Sequence, residues 1–130
     1  MAGGPHFFDH CDVRFVGPPF PFSGAASANV AAWARLHEPA PVDARVAAFL
    51  LDIMPPATSA TFGKPRPMAS IDFTVHFFDR FERPDEAARD YHLVSIASRW
   101  ADDGYTEELR DLWTRGAALL AQCRQNMALI

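Results

Sequence analysis

A chain of 130 residues with 49% apolar side chains is long enough to bury one hydrophobic core without disulfides or metals, and it is expected to fold as a single domain over residues 1–130. Its 12 basic and 16 acidic residues leave a formal charge of −4, and dense charge clusters such as Asp79-Arg80-Phe81-Glu82-Arg83-Pro84-Asp85-Glu86 are short and mixed in sign. That balance excludes binding driven by the phosphates of a nucleic acid.

Nowhere do about 18 apolar residues run together, so no membrane-spanning helix is expected, and Met1-Ala2-Gly3-Gly4-Pro5-His6 has no basic region leading into an apolar one. Cys11 and Cys123 lie far apart and have no CxxC or histidine-spaced partner, which leaves a zinc site without local support. Two free thiols and a cytoplasmic location are the expectation.

In chain order, Cys11 to Val16 alternates, with Val13 among Phe7, Phe8 and Phe15, and reads as a short strand. Gly17-Pro18-Pro19-Phe20-Pro21-Phe22-Ser23-Gly24 must be a loop, because its prolines lack ladder donors and fix φ. A second strand is expected near Val30 to Leu36, closed by His37-Glu38-Pro39-Ala40-Pro41.

Val42 to Met54 reads as the one helix: Val42, Val46, Phe49, Leu50 and Ile53 recur at helical spacing, Pro41 suits a first turn and Pro55-Pro56 stops it. Only Asp43, Arg45 and Asp52 are polar within it, and a helix that apolar is usually enclosed. After a loop from Pro55 to Pro67 the period becomes two: Ile71, Phe73, Val75 and Phe77 alternate with Ser70, Asp72, Thr74 and His76. A turn near Arg83-Pro84-Asp85 precedes three more extended segments, about Tyr91–Ala101, Tyr105–Trp113 and Ala118–Leu129, punctuated by Asp102-Asp103-Gly104 and Arg115-Gly116. The pattern is α+β, β-β-α-β-β-β-β. A curved antiparallel sheet wrapped around one long central helix, the hot-dog fold, would cover so apolar a helix, and an α+β sandwich of another topology also fits the pattern.

No nucleophile elbow, P-loop, HExxH or dinucleotide fingerprint is present, so polar residues in apolar settings become the candidates. Asp52 interrupts Ala47-Ala48-Phe49-Leu50-Leu51-Asp52-Ile53-Met54 near a helix C-terminus, where neither desolvation nor the helix dipole favours an anion. Enclosed, it would mark a functional site; on the helix flank, about 100° from the apolar centre, it would stay solvated. Gln125 shares strand parity with Leu119, Ala121, Cys123, Met127 and Leu129, and a carboxamide on that face needs partners, from backbone at a sheet irregularity or from a site. Ser70, at a strand entrance, has the ordinary alternative of a turn or cap. His76 reads as a surface or interface histidine, and Arg80, Arg83 and Arg99 as solvated.

Trp33-Ala34-Arg35-Leu36, Ala47 to Asp52 with Pro55-Pro56, and Met68-Ala69-Ser70-Ile71-Asp72-Phe73-Thr74-Val75-His76-Phe77-Phe78 together resemble the C-terminal half of TesB-like acyl-CoA thioesterases, the acyl-CoA thioesterase II family. Ser98-Arg99-Trp100-Ala101-Asp102-Asp103-Gly104-Tyr105 and Leu119-Leu120-Ala121-Gln122-Cys123-Arg124-Gln125 continue the likeness in the same order, over most of the chain. Members of that family usually join two hot-dog modules in tandem and hydrolyse acyl-CoA with an aspartate, a threonine or serine, and a glutamine that orient water. The resemblance implies Asp52, Ser70 and Gln125 as that set and leaves Asp72 outside it. Serine stands where threonine is often found, which keeps the hydroxyl but loses a rotamer-restricting methyl. This chain holds one module.

The implied function is hydrolysis of an acyl-CoA, with coenzyme A part of the substrate, no metal or redox cofactor, and a homodimer or higher homo-oligomer. The alternatives are a non-catalytic acyl- or acyl-CoA-binding module, or a structural half of a double hot-dog assembly. A hydratase or dehydratase of the same fold typically uses an Asp/His pair, and this helix offers only Asp52.

Overall fold

Alternating apolar residues in successive extended segments build one antiparallel sheet with a helix across its inner face. The computed structural model describes residues 6–81 and 88–130. These form β1 (Cys11–Phe15), β2 (Asn29–Leu36), α1 (Ala44–Asp52), β3 (Met68–Phe77), β4 (His92–Asp102), β5 (Tyr105–Trp113) and β6 (Leu119–Leu129), with 3₁₀ turns at His6–His10 and Ala57–Thr61. The expected order of elements holds. The turn expected at Arg83-Pro84-Asp85 lies outside the described residues.

Neighbours in the sheet run β1-β2-β4-β5-β6-β3, so β3 does not pair with the strand that follows it in the chain. It crosses to the far side and pairs with β6, which makes it a ten-residue edge. Between β4 and β5 the two-residue loop Asp103-Gly104 has φ of 48° and 79°. Positive φ at both positions is the hairpin geometry that matches strand twist, and an Asp-Gly pair supplies it at low steric cost.

The helix is shorter at both ends than its apolar period suggests. Asp43 caps it, its carboxylate accepting from the N–H groups of Arg45 and Val46 at 3.0 Å each, so Pro41 lies before the first turn. Ala47, Leu50 and Leu51 are buried, while Val46, Ala48 and Phe49 are partly open and Ala44, Arg45 and Asp52 exposed. The sheet therefore covers one side of α1 and leaves the other open, short of the enclosure expected. Beneath it the core gathers Val30, Ala32, Ala34, Val94, Ile96, Leu112, Ala121 and Cys123, with Ala57 and Ala60 from the 3₁₀ turn. Alanines at 32 and 34 present little bulk where that turn packs on β2.

Strand parity decides which side chains meet this core. On β6 the buried face carries Ala121, Cys123, Gln125 and Met127; opposite them on β5 stand Leu112, Arg110, Glu108 and Thr106. On β3, Phe73 and Val75 share that face, opposite Gln125 and Cys123.

Candidate active site

Strict alternation would put Ser70 on the outer face, with Asp72 and Thr74. A bulge prevents this: Ser70 pairs with Met127 and Asp72 with Asn126, leaving Ile71 outside the ladder and 58% exposed. An extra residue in one strand re-aims its neighbours, a use of bulges that recurs beside functional sites. Ser70 thereby reaches the face of Gln125, although an unbroken two-residue period would have separated them. Gln125 Nε2 donates a short hydrogen bond to Ser70 Oγ.

Gln125 is 1% exposed, and its Oε1 is buried without a hydrogen-bond partner. A buried carbonyl oxygen left unpaired costs about 1–3 kcal/mol, so it is a standing acceptor for a donor brought by a ligand or water. Asp72 is occupied elsewhere, accepting from the N–H and Nδ2 of Asn126 at 3.1 and 2.8 Å.

Asp52 ends α1 with its side chain exposed, so in the single chain the solvated flank is the position it takes. Its carboxylate is hydrogen-bonded to neither Ser70 nor Gln125. It nonetheless lies close enough to be felt at Cys123, the inner-face neighbour of Gln125 on β6. Burial pushes the Cys123 thiol up to about 12, with the nearby carboxylates of Glu108, Asp52 and Asp72 adding to the rise and Arg110 opposing it. A thiol held there is protonated at neutral pH and cannot serve as the nucleophile.

The residues that sequence reasoning missed are on β5. Thr106, Glu108 and Arg110 point inward and are all nearly or fully buried. Arg110 donates from Nε and Nη2 to Glu108 Oε1 at 2.8 and 2.5 Å, and from Nη1 to the carbonyls of Leu51 and Asp52 at 2.5 and 3.3 Å. Glu108 Oε2 accepts from the N–H of Ala57 at 2.9 Å, and Thr106 Oγ1 meets Thr58 Oγ1 at 2.7 Å. Three successive inward positions of one strand thus clamp the chain where it leaves α1. The available signal was a shared parity with Leu112, but in Thr106-Glu107-Glu108-Leu109-Arg110-Asp111 both parities carry charge, and nothing in the string says which faces in.

Surface grooves among the described residues lie away from this region; one, about 380 Å³, is lined by Arg14, Trp33, Tyr91 and Arg115. Among the described residues no group of three or more His, Cys, Asp or Glu is placed to hold a metal ion, and no helix is long and apolar enough to cross a membrane.

A six-stranded sheet carrying one helix on its inner face, with a carboxamide–hydroxyl pair at its β3 edge, defines a hot-dog domain. The chain belongs to the acyl-CoA thioesterase C-terminal domain family, whose model matches residues 1–129. Among solved structures, a conserved hot-dog protein of unknown function from Alicyclobacillus acidocaldarius is similar at TM-score 0.89 and 23% identity, over 100% of this chain and 49% of that one. The acyl-CoA thioesterase II TesB2 from Mycobacterium marinum is similar at TM-score 0.71 and 23% identity, over 100% and 55%. The tesB protein of Mycobacterium avium subspecies paratuberculosis gives 0.70 and 16%, over 100% and 54%. The chain therefore spans about half the length of these structures, and at such identities they establish the fold. No curated protein matches the sequence.

Proposed function

We propose that this domain hydrolyses a fatty or related acyl-CoA, with water activated by Asp52, Ser70 and Gln125. The observation that carries the reading is the Gln125–Ser70 hydrogen bond beside an unpartnered, buried carboxamide oxygen. Because Ser70 Oγ accepts from Gln125, its own proton is free to be donated to a water. That water would give one proton's hydrogen bond to Gln125 Oε1 and the other to the Asp52 carboxylate, leaving a lone pair for the thioester carbonyl. Asp52 takes the proton as the C–O bond forms, and the C–S bond breaks as the tetrahedral intermediate collapses. Coenzyme A leaves as a thiolate without strong acid assistance, since thiols ionise near pH 8.5 and alcohols far higher. The scheme uses no metal or redox cofactor.

Asp52 is open to solvent in one chain, and an activated carboxylate works best where water is limited. A second module would supply that cover. The β3 edge offers ten residues of strand, with Ile71, Phe77 and Phe78 exposed at 58%, 44% and 57% at and just beyond it. Long apolar edges are templates for pairing, and the related structures are about twice this chain's length. A homodimer or higher homo-oligomer, acting in cytoplasmic lipid metabolism, completes the reading. A purely monomeric species in analytical ultracentrifugation would contradict the assembly.

The second reading is an acyl- or acyl-CoA-binding module, or the structural half of a double hot-dog assembly. It is favoured by the Asp52 carboxylate accepting no hydrogen bond from the other two groups. Release of free thiol from butyryl-, octanoyl- and palmitoyl-CoA, measured beside direct binding, separates the two. Hydrolysis is expected, reduced about 10²- to 10⁴-fold in Asp52→Asn, the range a positioned general base contributes. Binding without turnover at every chain length would establish the second reading, and a near-normal rate in Asp52→Asn would remove that residue from the chemistry.

A further inference from the structure

We infer that the buried Glu108–Arg110 pair is a positioning device for Asp52, tying the last turn of α1 to the strand beside Gln125; this rests on the hydrolase reading above. In a helix of ordinary continuation, the carbonyls of Leu51 and Asp52 would accept from the N–H groups four residues on. Those residues are Pro55 and Pro56, which have none. Arg110 Nη1 fills both vacancies from the neighbouring sheet, at 2.5 Å to Leu51 O and 3.3 Å to Asp52 O. Its positive charge also suits the negative end of the helix dipole.

Glu108 holds the guanidinium in that direction. Its Oε1 receives Nε and Nη2 together, and its Oε2 receives the N–H of Ala57. The segment between Leu51 and Ala57 is therefore pinned to β5 at both ends. Both charged side chains are at most 1% exposed. Buried ion pairs rarely improve on an apolar pair of the same volume for stability alone, so it is the geometry of this one that sets it apart.

The register gives that geometry its use. Glu108 stands directly opposite Gln125, and Arg110 opposite Cys123. Successive inner-face positions along a strand lie about 6.8 Å apart, so the residue that holds the Leu51 and Asp52 carbonyls stands one position along β5 from the partner of the carboxamide. The carboxylate makes no hydrogen bond of its own among the described residues, so what the fold holds is the backbone from which it projects. Arg110 and Glu108 touch no reacting atom in this scheme; they act through Asp52.

Arg110→Lys keeps the charge but loses the fork, and Glu108→Gln keeps the shape but loses the carboxylate. With octanoyl-CoA, kcat of Arg110→Lys is expected to fall about 10- to 100-fold, as a displacement near 1 Å does, while KM stays within about threefold because substrate contacts are untouched. Glu108→Gln should show the same split with a smaller fall. In parallel, the ¹³C resonance of the Asp52 side-chain carboxyl, followed in both variants, should shift or split relative to the wild type. Unchanged kcat and an unchanged Asp52 resonance in folded variants would overturn the inference. If Arg110→Lys fails to fold, Glu108→Gln decides by the same two readouts. A wild type that hydrolyses no acyl-CoA would fail the hydrolase reading alone, and the carboxyl resonance would then decide the positioning role by itself.

Discussion

Two polar groups buried opposite each other on β5 and β6, Glu108 with its partner Arg110 and Gln125 with the exposed Ser70, differ in how completely they are satisfied. Glu108 and Arg110 spend both carboxylate oxygens and three guanidinium nitrogens on each other and on the backbone of the α1 exit. Gln125, opposite Glu108, uses its amide nitrogen on Ser70 and leaves its oxygen idle. A saturated network fixes structure; an unsaturated group one strand away retains capacity for a ligand. The same inner face thus holds scaffold and candidate chemistry, separable by counting partners.

Stability should divide the pairs most sharply. Arg110→Met leaves the Glu108 carboxylate buried and unpaired, and a loss of about 3–5 kcal/mol is expected by urea unfolding, as for other broken buried pairs. Adding Glu108→Leu should recover part of that loss, because the orphaned charge is gone; it cannot recover all of it, because Leu51 O, Asp52 O and Ala57 N–H remain unpaired. A double variant as damaged as the single one would show that the ion pair is not the source.

His92 gives a smaller effect of the same kind. It is 2% exposed, and burial lowers its pKa below the ordinary 6.5, with Asp90 opposing through its backbone hydrogen bond and its charge. The unfolded chain then binds a proton that the native chain resists. Stability from this group is full above about pH 6.5 and falls as the pH drops below it toward the folded value. The slope of unfolding free energy against pH in that range should shrink in His92→Gln; an unaltered slope would assign the acid sensitivity to other groups.

Much of this architecture was legible in the string. The two-residue period of Phe73 and Val75, the apolar helix stopped before Pro55, and the Asp-Gly hairpin each follow from local stereochemistry. The pairing of β3 with β6 was not, because neighbours in a sheet are chosen by the whole core and not by adjacent residues. Gln125 stood out through parity, whereas Ser70 lay on the wrong parity until the bulge at Ile71 turned its hydroxyl to Gln125, at the exposed β3 edge. Arg110 was hidden for a further reason: its partners are carbonyls whose usual donors are missing, and the Pro55-Pro56 pair that removes them reads first as a helix stop.

The most direct test replaces the half-satisfied group itself. Steady-state hydrolysis of octanoyl-CoA by Gln125→Leu, taken with its thermal midpoint, should show turnover reduced about 100-fold or more in a protein about as stable as the original, since the cost of the unpaired Oε1 is removed along with the Nε2 bond to Ser70, whose exposed hydroxyl water can satisfy. Turnover within twofold of the original, or an activity loss that merely follows a lowered midpoint, would mean that the idle oxygen of Gln125 is a packing defect and no part of a reaction.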